Sequence, residues 1–280
     1  QLSKDFQAQL ILYNAIGTAG PDGDLYAPIH GDRINNLFKT AMVRLKKLGD
    51  SLPGAYKVRY LIENSNHWSS LIAQVKQERA DLVISEMPAP GEPVPGRLRA
   101  LMYNMPCPTL FIPQGSSPKA LTKILVPVRL RDGIEQKLPI VIHWAVRTGA
   151  QVLLSAFELD NYSEKEKIQL AKMVEKMSDA LRAAGIQAEG ETAHGFHFGT
   201  TMVKRAEKTN SDLIAIIVEP ENLLSRLFSH MVGPYFLENS TVPVLSVPLK
   251  TADAEVGGLD SQSTGLANPA SLPAADAMAG

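Results

Sequence analysis

Three short segments of the first half of the chain recur, in the same order, in the second half. Each segment is a short apolar run, and the two members of a pair stand 142, 131 and 135 residues apart. Near-constant spacing over three segments is the signature of a duplicated unit, so we predict two copies of one small domain. The pairs are Ala8-Gln-Leu-Ile-Leu12 with Ala150-Gln-Val-Leu-Leu154, Ala80-Asp-Leu-Val-Ile84 with Ser211-Asp-Leu-Ile-Ala215, and Pro108-Thr-Leu-Phe-Ile-Pro113 with Pro243-Val-Leu-Ser-Val-Pro248.

The repeated segments predict strands, and amphipathic helical patterns lie between them. Apolar runs bounded by turn residues are typical of strands buried on both faces of a parallel sheet. Strict alternation of strand and helix predicts an α/β fold with two tandem doubly wound parallel-sheet domains of about five strands each. For the second copy we predict strands at 123–128, 151–156, 187–191, 212–218 and 242–247, and helices at 133–148, 163–185, 199–209 and 223–239. In the first copy we predict a helix at 34–48 and a strand at 57–62.

The repeat also predicts the domain boundaries. We expect a first domain at 1–114, a linker at 115–122, a second domain at 123–250 and a disordered tail at 251–280, which has few large apolar residues. The second copy has 27 residues before Ala150 and the first copy has 7 before Ala8. By this comparison a first strand and most of a first helix are expected to be missing before Gln1, and a naturally shorter first copy is the alternative.

Composition limits the classes of partner. The 28 basic and 29 acidic residues give a net charge of −1, which provides no overall field toward nucleic acid or anionic lipid. The single cysteine, Cys107, excludes a disulfide framework and a multi-cysteine metal site, and it is expected to be a buried thiol of a cytoplasmic protein. No apolar run approaches the length that spans a bilayer.

Three motifs of the second copy carry a family resemblance. They are Lys123-Ile-Leu-Val-Pro-Val128 as an opening strand, Asn210-Ser-Asp-Leu-Ile214 as a later strand, and Gly233-Pro-Tyr235 leading into the final strand. With the repeat, they make the chain resemble the universal stress protein family in its tandem form. The resemblance implies that the two copies pack as a pseudo-dimer, and a homodimer of such chains is a further possibility.

The same resemblance implies a nucleotide site at the strand ends. Many members bind ATP between the first and fourth strands, with an acidic residue after the first strand and a Gly-x2-Gly-x9-Gly-Ser/Thr loop around the phosphates. Mapped onto this chain, the strand ends are Val128 and Val218, the acidic position is Arg129, the glycine positions are Pro220, Leu223 and Gly233, and the hydroxyl position is Pro234.

These departures predict a degenerate pocket without ATP and without any other cofactor. Pro220 lacks an amide donor, Leu223 adds bulk, and Glu219 and Glu221 place negative charge where phosphates would lie. The corresponding loop of the first copy, 86–96, is rich in proline and acidic residues, so no nucleotide is assigned there either.

For the other candidate residues, the sequence favours a structural role over a ligand-binding one. His194 and His197 stand three apart without a carboxylate or cysteine at fixed spacing, which indicates an exposed pair and no metal site. Trp144 is expected to cover the sheet, whereas His67 and Trp68 open a helix and are candidates for a contact surface. Phe111 and Val244 lie on the final strands of the two copies, and we expect them to pair across the copies.

No nucleophile elbow and no phosphate-binding P-loop motif occur in the sequence. We therefore expect a non-enzymatic regulatory or stress-response protein. Two alternatives stay open: the cytoplasmic regulatory part of a membrane transporter, and a sensor of adenine nucleotides.

Overall fold

A computed structural model describes residues 8–16, 31–52, 57–65, 68–117, 119–130, 133–219 and 232–249. Its strands are β1 (Leu10–Ala15), β2 (Val58–Glu63), β3 (Val83–Met87), β4 (Thr109–Pro113), β5 (Lys123–Val128), β6 (Gln151–Glu158), β7 (Ala188–His194), β8 (Leu213–Val218) and β9 (Val244–Pro248). Its helices are α1 (Gly31–Ser51), α2 (Trp68–Gln77), α3 (Gly96–Asn104), α4 (Leu138–Thr148), α5 (Glu164–Ala183), α6 (Phe198–Lys208) and α7 (Val232–Asn239), with a 3₁₀ turn at Ile134–Lys137 before α4. Among the described helices, none is both long and apolar enough to cross a membrane.

The second copy forms the predicted doubly wound sheet. Its five strands lie side by side in the order β9-β8-β5-β6-β7, and every neighbouring pair is parallel. The chain reverses direction of winding at β5, so the gap beyond the carboxyl ends of β5 and β8 is the topological switch point at which such sheets hold ligands. The predicted α/β fold class is confirmed.

The first copy contributes two separate strand pairs. β1 pairs in parallel with β2 in a two-stranded sheet, and β3 pairs in parallel with β4 in the main sheet. By the repeat, β1 and β3 correspond to β6 and β8, which in the second copy are separated by β5. No described strand of the first copy stands in the place of β5, which explains why its strands fall into two pairs.

A strand pair joins the two copies. β4 runs antiparallel to β9, with Phe111 opposite Val244, the two residues expected from the sequence to pair. The result is one seven-stranded sheet in the order β3-β4-β9-β8-β5-β6-β7. Described residues up to Leu249 therefore form one compact unit. The predicted domain boundaries stay predictions, because the copies share this sheet, and the predicted tail at 251–280 lies outside the described residues.

The main sheet carries a hydrophobic core on each face. One core lies under α2, α3, α6 and α7, and contains Phe111, Phe157 and Phe236. The other lies under α4 and α5, and contains Trp144, which is 5% exposed as predicted. Cys107 is buried in the first core, and burial raises the pKa of its thiol to about 11, so this thiol is protonated and inert at neutral pH.

Local sequence signals explain the ends of α5. The Ser163 side chain accepts a hydrogen bond from the backbone N–H of Glu166, whose carboxylate accepts one from the backbone N–H of Ser163 at 2.7 Å, forming a capping box. After α5 the chain turns at Gly185, whose φ of +76° is a left-handed conformation that favours glycine. Ser163 and Gly185 are the bounds of the helix predicted at 163–185.

The predicted elements differ from the observed ones mainly at their ends. Strands β6 and β7 continue to Glu158 and His194, beyond the predicted ends at 156 and 191, because both still pair with each other there. The predicted helix at 133–148 begins with the 3₁₀ turn, and α1 spans Gly31–Ser51 instead of 34–48. Of the predicted helix at 223–239, the structure describes α7 alone.

Asp212 fixes the start of the second copy. Its Oδ2 accepts hydrogen bonds from the backbone N–H of Thr122 at 2.9 Å, from the Thr122 hydroxyl at 2.7 Å and from the backbone N–H of Lys123 at 3.0 Å. The preceding Asn210 has a φ of +51°, which directs the chain into β8. The Asn-Ser-Asp motif therefore has a structural role, because its aspartate anchors the start of β5 beside β8.

Candidate functional site

A cavity of about 760 Å³ opens at the carboxyl ends of β5, β6 and β8. That volume falls in the range of ordinary small-molecule sites. The cavity lies on the face of the sheet covered by α6 and α7, at the switch point of the second copy. Charged, hydroxyl and apolar residues line it together. They include Arg129, Leu130, Lys137, Leu159, Tyr162, His197, Thr200, Ile216, Glu219 and Tyr235.

The structure places some of the predicted site residues at the cavity and others away from it. Arg129, Val218 and Gly233 line the cavity. Val128 is buried in the core on the opposite face of the sheet, because successive strand residues point to opposite faces. Pro234 is buried at the start of α7. Pro220 and Leu223 lie outside the described residues.

Lys137, which the sequence analysis did not single out, supplies a buried cation to the cavity. Its side chain is 1% exposed, and its ammonium donates a hydrogen bond to the backbone carbonyl of Pro127. Burial, and then the nearby positive charge of Arg129, lower the pKa of Lys137 to about 7. An ammonium has three donors, and among the described residues this one has the Pro127 carbonyl as its acceptor.

Arg129 follows β5 and packs on an aromatic wall. Its guanidinium carbon lies 4.8 Å from the ring centroid of Phe198, a cation–π arrangement. Phe198 in turn makes edge contacts with Phe157 and Phe236, at centroid distances of 5.3 and 5.9 Å. This stacking holds the arginine side chain at the cavity, where the resemblance expected an acidic residue.

Tyr103, at the end of α3, brings the first copy into the wall of the cavity. It meets α7 at Gly233, where an added Cβ would lie 2.8 Å from the Met102 sulfur and 3.0 Å from the Tyr103 hydroxyl oxygen. Gly233 therefore has a packing role between the copies. The one glycine of the phosphate motif retained in the sequence is explained by this close approach.

The proline-rich loop of the first copy also packs on α7. The backbone N–H of Gly91 donates to the carbonyl of Glu238 at 2.6 Å, and that of Val94 donates to the Glu238 carboxylate at 3.4 Å. Arg99 forms an ion pair with the same carboxylate at 3.5 Å. In this structure the loop that corresponds to a phosphate loop contacts the other copy.

The paired histidines are exposed, as predicted. His194 ends β7, and His197 precedes α6 at the rim of the cavity. Among the residues that the structure describes, no group of three or more His, Cys, Asp or Glu side chains is placed to hold a metal ion. His67 lies outside the described residues, and Trp68 packs partly buried against the first core, so the proposed contact surface stays a prediction.

One signal in the sequence could have pointed to Lys137. It stands three residues after Ile134 and four before Val141, both buried, so it occupies the apolar face of its helical segment. A lysine at such a position is buried and must find a polar environment. The aromatic residues of the cavity carry no comparable signal, because helical and strand spacing places them equally well in a core.

Comparison with solved structures supports the resemblance. The chain is similar to a universal stress protein from Archaeoglobus fulgidus DSM 4304, with a TM-score of 0.71 and 11% identity over 86% of this chain and 88% of that one. It is also similar to a candidate universal stress protein from Pseudomonas aeruginosa UCBPP-PA14, with a TM-score of 0.59 and 16% identity over 88% and 85% of the two chains. A third similar chain is a functionally unknown protein from Pseudomonas aeruginosa PAO1, with a TM-score of 0.55 and 18% identity over 92% and 88%.

No family model and no curated protein matches the sequence. At sequence identities this low, the structural similarity shows only that the chain shares the fold of these proteins. The expected resemblance to universal stress proteins in their tandem form is therefore confirmed as a resemblance of fold along most of the chain.

Proposed function

We propose that this protein is a non-enzymatic regulatory protein of the universal stress protein fold, whose second copy holds a small molecule other than ATP. The cavity at the ends of β5, β6 and β8 carries the proposal, because its position is where parallel α/β sheets bind ligands and its volume suits a small molecule. The first copy contributes Tyr103 to the wall, which supports a regulatory role through contacts between the copies.

The residues around the cavity disfavour ATP. Arg129 replaces the acidic residue expected to contact adenine or ribose. Pro234 offers neither a hydroxyl nor an amide donor at the position that follows the last motif glycine. Gly233 packs against Met102 and Tyr103 from the first copy, which leaves its α-carbon facing protein.

The described lining also lacks a serine, threonine or cysteine nucleophile that is hydrogen-bonded to a histidine base. A nucleophile needs an adjacent base in hydrogen-bond reach. The lining residues contain one hydroxyl from threonine, Thr200, and one histidine, the exposed His197. This composition supports a binding role.

Ligand binding to the full chain tests this proposal. Native mass spectrometry and thermal-shift measurements with ATP, AMP and a library of small metabolites are expected to show stabilisation by a non-nucleotide ligand and no micromolar binding of ATP. Leu159→Trp, which fills the cavity, should abolish that stabilisation. Ile168→Trp, at an exposed position of α5, is the matched control and should leave it unchanged. ATP bound at micromolar affinity, or ligand binding unaffected by Leu159→Trp, would overturn the proposal.

A further inference from the structure

The charges of the cavity point to the class of its ligand. Lys137 and Arg129 are cations at the ends of the strands, and Glu219 is the single carboxylate among the described lining residues. The described lining therefore contributes two basic groups and one carboxylate to the cavity. An anionic group of a ligand would interact favourably with the two basic groups at the strand ends.

The geometry at Lys137 favours an acceptor from the ligand. The ammonium is buried and donates one hydrogen bond to the Pro127 carbonyl, and no described residue accepts from its other two donors. Buried charged groups without full hydrogen bonding are costly, so an acceptor brought by a ligand would be strongly bound. A carboxylate has two oxygens and can accept from the ammonium and the neighbouring guanidinium together.

The walls of the cavity favour a flat apolar body. Six of its 20 described lining residues are Phe or Tyr, against 6% aromatic residues in the chain as a whole. They are Tyr103, Phe157, Tyr162, Phe196, Phe198 and Tyr235. Rings of this kind bind planar groups through stacked or edge contacts.

We propose that the cavity binds a small aromatic monocarboxylate, with the carboxylate between Lys137 and Arg129 and the ring among the aromatic walls. This inference rests on the proposed function, since it names the ligand class of the same cavity. The carboxylate stands at the strand ends, where the resemblance placed the adenosine of a nucleotide. The buried position favours a singly charged group, because desolvation of a dianion such as a phosphomonoester costs more.

Calorimetric titration of the full chain with four probes tests the ligand class. The probes are benzoate, its uncharged isostere benzamide, phenyl phosphate and ATP. Benzoate is expected to bind at least about tenfold more tightly than each of the other three, a difference typical of one charge-assisted hydrogen bond. Lys137→Met should bring benzoate down to the affinity of benzamide, and Lys172→Met, at an exposed position of α5, should change nothing.

Each other result contradicts the ligand class in a distinguishable way. Equal binding of benzoate and benzamide at the cavity, or tighter binding of phenyl phosphate, would overturn the carboxylate and leave a small-molecule site. Tighter binding of ATP would overturn both proposals. If none of the four probes bound but a library compound did so in a manner abolished by Leu159→Trp, the cavity would remain a site and the aromatic carboxylate would be wrong.

Discussion

The charge state of Lys137 should make the stability of the protein depend on pH. Below pH 7 the ammonium is charged in both the folded and the unfolded protein, and its burial destabilises the folded state. Between pH 7 and 10.5 the unfolded state binds more protons, so the free energy of unfolding rises with pH, and above 10.5 the cost is gone. The other charged and titratable groups of the described lining are Arg129, Glu219, His197, Tyr103, Tyr162 and Tyr235.

Lys137→Met removes this cost. We expect the free energy of unfolding at pH 6 to rise by about 1–4 kcal/mol, as when buried charges are replaced by apolar groups. Because the wild-type cost disappears as the lysine loses its proton, the gain should shrink between pH 7 and pH 9. Urea unfolding of the wild type and of Lys137→Met at several pH values measures this gain. A gain that stayed constant with pH would contradict the lowered pKa of Lys137.

Gly233→Ala tests the close contact between the copies. The added methyl group would lie 2.8 Å from the buried Met102 sulfur, so the Met102 and Tyr103 side chains or the helices that carry them must shift, and we expect a loss of about 1–3 kcal/mol in unfolding free energy. Gly96→Ala is the matched control, because nothing lies within 4 Å of its Cβ in the first turn of α3. That change should leave stability unchanged or raise it slightly. Equal effects of the two substitutions would argue against the packing role of Gly233.

Individual residues of the site could be predicted only in part. The position of Arg129 follows from the strand that precedes it, so it could be mapped to the cavity from sequence. Val128 was assigned to the pocket with it, but alternation along β5 turns its side chain into the opposite core. Lys137 could have been found from its spacing to the buried Ile134 and Val141, whereas the aromatic walls depend on packing between α6, α7 and the sheet, which a single sequence does not specify.

At the scale of one element, the Ser163 cap should contribute measurably to α5. Ser163→Ala removes the hydroxyl that accepts from the backbone N–H of Glu166, and an N-cap of this kind is worth about 1 kcal/mol of stability. Ser163→Thr retains the hydroxyl, which also donates to the Glu166 carboxylate at 2.6 Å, and should behave nearly as the wild type. Thermal unfolding of both variants measures the difference, and equal losses would show that the cap contributes nothing.

The strands and helices of the second copy could be predicted well because each carries a local pattern. Apolar runs defined the strands, and the predicted helix at 163–185 begins and ends at the residues that bound α5, Ser163 and Gly185. Element ends were less accurate: β6 and β7 extend past their predicted ends because they pair with each other there. Such pairing is a tertiary contact, and it overrides the weak propensity of polar residues such as Glu158 and His194.

For the whole molecule, the β4–β9 pair determines whether the two copies form one unit. Phe111 is fully buried between them, so Phe111→Ala should lower the unfolding free energy by about 3–5 kcal/mol. Phe196→Ala makes the same chemical change at a side chain that is 87% exposed and should have little effect. Urea unfolding of both variants measures this.

The split of the first copy could be predicted from the repeat, since the strand order of the second copy places β5 between the counterparts of β1 and β3. What the repeat did not predict is how the first copy is used. Its loop at 86–96 and helix α3 pack on α7, so Tyr103 reaches the cavity of the second copy. A ligand there would touch both copies, which links binding to the contact between them.

A crystal structure of the protein with 4-bromobenzoate tests the central claim most directly. The account predicts an anomalous bromine peak among the aromatic walls, with the carboxylate within hydrogen-bond distance of the Lys137 ammonium and the Arg129 guanidinium. A peak outside this cavity, or a ring whose carboxylate points away from Lys137, would contradict it.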